Sequence, residues 1–377
     1  MSYKILKIMN LSFPDVERFY FQDPKWRHAS YAEQKAHLLQ NRFVYFNQFS
    51  THMRELGYDA DDLVFNVKPL QSTWAREHNH DFEDANWAYD ILLKQIEVIG
   101  PDILYLQGSA PLPHYVRRHI KRFCPSVKLV VMFLGSLEPA HVLRDVDLIL
   151  AGTPSLQQWY ASFGIPTHLL YHAFDQSILE HIHPKPGLHD LTYVGSNGVG
   201  YGAAHYRRYW TLRNLAEKTP IKMWLSELSQ IRDRIRQYPY PPGFEPMQSF
   251  DDLYPGRFNP SVFGSAMYQI LADSKISINI HTDVVVNEVG NMRMFEITGA
   301  GACMLIDHGA NLPELFEPDK EVVVYKDAHD CIEKISWLME HDQTCIDIAR
   351  AGQARTLKEH NLKNQCERIH DIIRKSL

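Results

Sequence analysis

The chain has 377 residues, 45% of them hydrophobic, which is too much for one ordinary core and enough for two well-buried domains. Its 39 Lys and Arg against 45 Asp and Glu give a formal charge of −6 with no basic block that would track a phosphate backbone, which argues against nucleic acid as a partner. Cys124, Cys303, Cys331, Cys345 and Cys366 are odd in number, widely spaced and without a CxxC pair, so neither a disulfide framework nor a zinc cage is expected and a cytoplasmic location is.

The opening MSYKILKIMN is broken by Lys4 and Lys7 and followed by no small-residue cleavage site, so it reads as a first strand and not as a signal peptide. No apolar run approaches the roughly 20 residues that cross a bilayer. Membrane contact is left open only as a peripheral one, which the modest acidity does not favour. Strands are predicted at Tyr3 to Met9, Ile103 to Gln107, Lys128 to Leu134 and Leu148 to Ala151. Between the first two, Leu39, Phe43, Phe46, Met53 and Leu56 recur at helical spacing and predict one long helix closed by Gly57.

A helix from Ser155 to Phe163, stopped by Gly164, and a strand at His168 to Tyr171 follow. The segment HIHPKPGLH at 181–189 then suits an exposed connection. The predicted organisation is a first domain at 1–180, a linker at 181–190 and a second domain at 191–377. The second series of strands is Leu191 to Val194, Lys222 to Leu225, Ile276 to Ile280, Met304 to Ile306 and Val322 to Tyr325, followed by a helix carrying Ile332, Ile335, Leu338 and Met339. Tyr238 to Pro260, rich in proline and aromatics, predicts a long irregular loop. Strands alternating with helices give an α/β class with parallel sheets, whose strand ends would face a cleft between the domains.

The richest stretch is HTDVVVNEVGNMRMFEITGAGACMLI at 281–306, read as a loop with Asn287 and Glu288, a short helix from Asn291, a glycine-rich break at Gly299 and Gly301, and a strand. The N–H groups at the head of such a helix favour diphosphate oxygens. Asn291 suits the cap and Arg293 a phosphate contact. Glu296 can accept bonds from ribose hydroxyls, and Glu288 can meet the hydroxyls of a donor sugar. Asn279 and His281 end the preceding strand at the predicted cleft. A glycine cluster at 195–202, GSNGVGYG, adds Gly195, Ser196 and Asn197 as phosphate-approaching candidates, with Arg207 and Arg208 beyond it facing phosphate or solvent.

Glu288 and Glu296 match the E-x7-E spacing of group-one glycosyltransferases with the GT-B fold, and NMRMFEITGAGACMLID resembles the C-terminal signature of glycosyltransferases similar to spore maturation proteins. The likeness extends through NLPELF, EVVVY and GQARTLKEHNLKNQCERI to the end of the chain. It implies two Rossmann-like domains, a nucleotide-sugar donor (UDP or GDP) bound mainly by the second, a hexosyltransferase-like reaction, and no cofactor or metal requirement. It further implies that Glu296 holds the ribose and Glu288 contacts the sugar, making Glu288 and Arg293 the catalytic candidates, with Gly299 among the donor-binding residues. A glycan or other glycoconjugate, as in polysaccharide biosynthesis, is the acceptor it suggests. The first domain departs from the pattern, since NLSFPDVERF at 10–19 stands where many GT-B enzymes carry a glycine-rich loop.

Blander readings stand beside these. Arg293 could be a salt-bridge partner of Glu296 or Glu288. His172 in YHAFD is a hinge residue or a donor contact. The triplets Asp59 to Asp61 and Asp145 to Asp147 read as solvated turns and not as metal-diphosphate sites. A nucleotide-sugar epimerase, or a non-catalytic scaffold on the same fold, are the rival functions.

Overall fold

The computed structural model describes residues 2–11, 20, 23–40, 48–108, 112–199, 202–226, 243, 245, 247–282, 285 and 287–377. Contacts divide the chain into unit 1, Met1–Tyr171 with Leu362–Leu377, and unit 2, His172–Asn361.

Unit 1 is built on six parallel strands: β1 (Lys4–Met9), β2 (Asp59–Val64), β3 (Ile103–Gln107), β4 (Leu129–Leu134), β5 (Leu148–Ala151) and β6 (Thr167–Leu169), in the order β2-β1-β3-β4-β5-β6. The unbroken apolar runs of β4 and β5 are buried at every residue, as strands covered on both faces must be.

The first acidic triplet is not a solvated turn: Asp59, Ala60 and Asp61 begin the edge strand β2. Lysines neutralise its carboxylates. Lys4 pairs with Asp59 at 3.5 Å, Lys35 with Asp61 at 2.7 Å, and the buried Lys7 with the buried Asp62 at 3.4 Å. Asp62 also accepts the Ser50 hydroxyl. The second triplet does precede a strand, and Asp147 there accepts the Val130 amide at 2.8 Å.

The single helix expected over Leu39 to Leu56 is instead two, Tyr31–Gln40 and Phe49–Glu55, with Gln48 in the N-cap position of the second. The predicted Phe43 and Phe46 lie outside the described residues. Gly57 does close the second helix, at φ 90°.

Two boundaries differ from the sequence reading. The helix Leu362–Ser376 buries Leu362, Cys366, Ile369 and Ile373 and packs on Phe49–Glu55, so the end of the chain belongs to unit 1 and not to the second domain. The break near the middle falls after Tyr171, ahead of 181–190. That proline-rich stretch is no free linker, because His183 donates its amide to Gln269 Oε1 at 2.8 Å and Lys185 donates its own to Asp273 Oδ1 at 2.6 Å, both inside unit 2.

Unit 2 carries β7 (His189–Ser196), β8 (Lys222–Ser226), β9 (Asn259–Pro260), β10 (Ser274–Asn279), β11 (Cys303–Asp307) and β12 (Val323–Tyr325), all parallel, in the order β12-β11-β10-β7-β8-β9. The expected irregular loop before Pro260 holds a short helix, Phe250–Leu253, capped by Ser249, and then the edge strand β9. One buried layer, including Leu191, Tyr209, Leu212, Ile276, Leu305 and Leu338, covers a face of this sheet. Strand order reverses between β7 and β10, and in open parallel sheets the crevice at that reversal, beyond the carboxyl ends, is where ligands sit.

The five cysteines are buried and free. No helix among the described residues is long and apolar enough to cross a membrane.

Candidate functional site

At the end of β7, the hydroxyl of Tyr193 folds back to donate to Ser196 O at 2.7 Å. A Cβ on Gly195 would stand 2.9 Å from that hydroxyl and would have to displace it. Gly198 has φ +94°, and a Cβ there would meet His205 O at 2.9 Å. Asn197 is fully buried, and its Oδ1 accepts the Val199 amide at 3.1 Å. The turn is therefore a shaped one. Arg208 is turned away from solvent: it is buried and donates to Ile280 O from Nε at 3.1 Å and Nη2 at 2.7 Å, with Nη1 3.5 Å from Ser196 Oγ. It thereby laces the end of β7 to the end of β10. Burial, helped by the Arg208 charge, pulls the neighbouring His205 down to about 3, so its ring is neutral.

Beyond β10, Asn279 and Asn291 exchange side-chain amide bonds, each donating to the other's Oδ1 at 2.9 Å. Asn291 is the N-cap of the helix Met292–Ala300, its Oδ1 accepting from the Met294 amide at 3.3 Å. The sequence thus placed the cap, while the pairing with Asn279 becomes visible only in the fold.

His281 is held by Asp307 at the end of β11. Asp307 accepts the His281 amide at 3.1 and 3.2 Å through its two oxygens and lies 2.8 Å from Nδ1. On the far side of the ring, Nε2 accepts the Gly290 amide at 3.2 Å. Those partners assign the ring proton to Nδ1. Burial alone would raise the Asp307 carboxyl, but the electrostatic attraction of His281 and its hydrogen bonds, with the Arg207 guanidinium at 3.1 Å, hold it below its usual value. Arg207 is half exposed, so it contributes less than its distance suggests.

The loop carrying Glu288 is pinned from both ends. Gly290, at φ 150°, is tied to His281, and Asn311 brackets Val289, accepting its amide and donating to its carbonyl, both at 2.8 Å. Asn287 adopts φ 59°, and its carbonyl accepts the Ala310 amide at 2.8 Å. Glu288 itself is half-buried.

Within the helix, Arg293 Nη1 donates to Glu296 Oε2 at 2.7 Å and the Tyr268 hydroxyl to Glu296 Oε1 at 3.0 Å. The salt bridge weighed as the alternative role of Arg293 is thus present. Glu296 lies deeper than a surface ribose reader would, at 4% exposure. Burial, followed by the Glu296 charge, pushes the Tyr268 hydroxyl well above its usual range, so it remains a donor.

Gly299 is not part of a glycine-rich break. It lies inside the helix, where a Cβ would come within 2.4 to 2.6 Å of the Phe174 ring, and the chain turns only at Gly301, φ +94°. His172 opens unit 2, half-buried, and burial pulls its imidazole down to about 3.

The fold therefore gathers Ser196, Asn197, Asn279, His281, Asn291, Arg293 and Glu296 around the ends of β7 and β10 and the head of one helix, with Glu288 on the loop between. Gly195 and Gly299 serve packing contacts. Sequence reasoning missed Asp307, Tyr268, Asn311 and Gly290. A carboxylate ending the LID strand beside the reversal point was the one available signal, for Asp307. Among the described residues no group of three or more His, Cys, Asp or Glu side chains is placed to hold a metal ion.

Residues 207–371 match the family model described as glycosyl transferase-like. No curated protein matches the chain. Among solved structures, the fold is similar to that of Anabaena Alr3699/HepE in complex with UDP-glucose, with TM-score 0.59 at 13% identity over 99% of this chain and 100% of that one. It is similar also to a sucrose-phosphate synthase (tll1590) from Thermosynechococcus elongatus, with TM-score 0.59 at 10% identity over 99% and 98%. A glycosyltransferase from Rickettsia africae ESF-5 gives TM-score 0.59 at 10% identity over 100% and 98%. At such identities the likeness establishes the fold, which is the GT-B fold with its two Rossmann-like sheets. The family match supports glycosyl transfer.

Proposed function

We propose that this protein transfers a sugar from a nucleotide-sugar donor held by unit 2, without a metal ion, to a glycan or other glycoconjugate acceptor. The observation that carries the reading is the convergence, at the strand-order reversal of the β7–β12 sheet, of a capped helix head with Arg293 and Glu296. The first-turn N–H groups of a helix have no acceptor within it and present positive potential to a diphosphate. Arg293 keeps its Nε and Nη2 donors besides those that Nη1 gives to Glu296 and Met267. Together they would neutralise the charge that gathers on the leaving diphosphate, the main electrostatic demand of the reaction.

In this reading Glu296, fixed by Tyr268 and Arg293, offers its remaining lone pairs to the ribose hydroxyls, and Glu288 meets the donor sugar. Asn279, Asn291, His281, Ser196 and Asn197 shape the backbone around the diphosphate. A uridine diphosphate hexose is the first donor to try, because the similar Anabaena structure is a complex with UDP-glucose. The motif NMRMFE favours the branch resembling spore maturation proteins and a role in polysaccharide assembly.

The test is thermal stabilisation by UDP, GDP and their sugars in the presence of a chelator, on the native protein and on Glu296→Ala. A ligand at about 100 times its Kd adds about 2.7 kcal/mol. A shift with one nucleotide that weakens in the variant supports the donor site, and no shift with any refutes it. Conversion of donor in the absence of acceptor would instead favour an epimerase.

A further inference from the structure

Beside β12, which ends one edge of the unit 2 sheet, lies a cavity of about 490 Å³, within the usual size of a small-molecule site. Three elements wall it. The helix Ala328–Glu340 contributes Asp330, Glu333, Lys334 and Trp337, which at i, i+3, i+4 and i+7 share one face. The helix Asp342–Glu359 adds Thr344 from its first turn and the buried Ile348, and the chain entering β12 adds Asp319 and the buried Val323. Cys345, the neighbour of Thr344, stands 3.8 Å from the Lys275 carbonyl near the start of β10. The cavity therefore lies toward the amino ends of the strands, whereas the donor candidates gather at their carboxyl ends.

Trp337 is 47% exposed, and its indole is braced. The His341 ring stacks against it, with centroids 4.3 Å apart and planes 18° from parallel, and His341 Nδ1 lies 2.7 Å from the Trp337 carbonyl oxygen. A ring held in this way loses little freedom when a ligand covers it. The polar groups around it are of both kinds. Lys334 pairs with Asp330 at 3.6 Å and donates to the Val324 carbonyl. Glu333 has only the exposed His329, at 3.6 Å, and among the described residues no hydrogen bond or ion pair engages the Asp319 carboxylate or the Thr344 hydroxyl.

We propose that this cavity is a second, non-catalytic carbohydrate site, in which one ring of a neutral oligosaccharide lies on Trp337 while its hydroxyl groups bond Asp319, Glu333 and Thr344. The mixture of groups selects a sugar. A pyranose offers an apolar C–H face to an indole, and its hydroxyls both donate and accept, so they satisfy carboxylates, a hydroxyl and an ammonium together. An anionic ligand meets three carboxylates against one lysine that Asp330 already balances. A simple amine uses the carboxylates but is repelled by Lys334, and an alkyl chain uses the indole and the two buried aliphatic residues but none of the polar rim. The binding does not depend on the donor reading of unit 2. Its use rests on the glycan acceptor proposed above: a chain gripped here has a raised effective concentration at the transfer centre.

The experiment is saturation-transfer NMR of the full chain with four neutral tetrasaccharides, built of β-glucose, α-glucose, mannose and N-acetylglucosamine, with tetragalacturonate as the anionic probe and spermidine as the amine. Binding of at least one neutral probe, displaced by neither of the others, is expected. Trp337→Ala should weaken it about ten-fold, through loss of the stacking surface. Asp319→Asn with Glu333→Gln should also weaken it about ten-fold, through loss of charge-assisted acceptors. Glu296→Ala should leave it unchanged. Asp319, Glu333 and Trp337 are exposed, and an unchanged unfolding midpoint checks that the variants are folded. Failure of every neutral probe to bind overturns the proposal, as does binding that Trp337→Ala leaves intact or that spermidine displaces. Binding lost in Glu296→Ala and kept in Trp337→Ala belongs to the transfer centre and overturns it equally. A protein that takes no nucleotide yet binds a neutral probe through Trp337 would refute the donor reading and leave this one standing.

Discussion

Asp307→Asn tests whether the His281 clamp organises the site. The carboxylate accepts the His281 amide and faces Nδ1 at 2.8 Å, while the Gly290 amide occupies Nε2 at 3.2 Å. Asp307 Oδ1 alone accepts both the His281 amide and Nδ1–H, so an asparagine with its oxygen in that place keeps both bonds. Its NH2 then stands where Oδ2 stood and turns donors against the Arg207 guanidinium and the His281 amide. Turning the amide over sets the NH2 against both His281 donors instead. A buried amide donor without an acceptor costs about 1–3 kcal/mol in either arrangement. Loss of the buried charge brings the total to about 3 kcal/mol, at the lower end for a broken buried pair because Arg207 is half exposed.

The sign of the pH dependence follows. The folded pKa of Asp307 lies below its unfolded value, so its contribution is complete above the unfolded pKa, about 3.9, and is lost as pH falls through the folded one. Urea unfolding of both proteins, stepped down from neutral pH, should show a gap that is constant to about pH 5 and then closes. Equal stability at neutral pH, or a gap that persists in acid, refutes the clamp. Calorimetric titration with UDP should show weaker binding in the variant, because the NH2 set against Arg207 and the His281 amide displaces the ring that anchors Gly290 and the Glu288 loop.

Other changes have defined outcomes. Gly299→Ala drives a methyl into the Phe174 ring and should cost about 1–3 kcal/mol, read as a lower Tm, with Gly299→Ala/Phe174→Leu recovering part of it. Asn291→Ala removes the cap and strands the Asn279 amide, for about 1–3 kcal/mol in chemical denaturation and weaker nucleotide binding. Lys7→Met leaves Asp62 buried opposite an apolar group and should destabilise unit 1 by about 3–5 kcal/mol in urea unfolding, whereas Lys7→Met/Asp62→Leu should regain most of that.

Much of the fold was legible because the inner strands of parallel sheets are nearly pure apolar runs: ILYLQ, LVVMFL, LILA and the cores of β10 and β11 announce themselves. β2 did not, since DADDLV looks like a turn until the lysines that neutralise it are seen alongside. That the helix Leu362–Ser376 belongs to unit 1 was not legible, because periodicity says that a face is buried and not which sheet buries it.

The site shows the same division. Its helix, cap and acidic spacing are local and could be read in order. Its bonds are not local: Asn279 meets Asn291 twelve residues on, and His281 meets Asp307 twenty-six residues on. No spacing rule connects those pairs, nor Tyr268 with Glu296 or Phe174 with Gly299.

The division of the chain also sets an order of completion during synthesis. Unit 2 is continuous, His172–Asn361, and once those residues have emerged it contains everything its sheet needs. Unit 1 begins earlier but lacks Leu362–Leu377, the helix whose Cys366 sits near enough to Lys7 and Asp62 to feel both charges and whose His370 bonds the Tyr58 hydroxyl at 3.1 Å. Chains emerge from the amino end, and domains generally fold as units. Residues 1–171 therefore wait until the whole of unit 2 has been made before the helix that covers Lys7 and Asp62 follows.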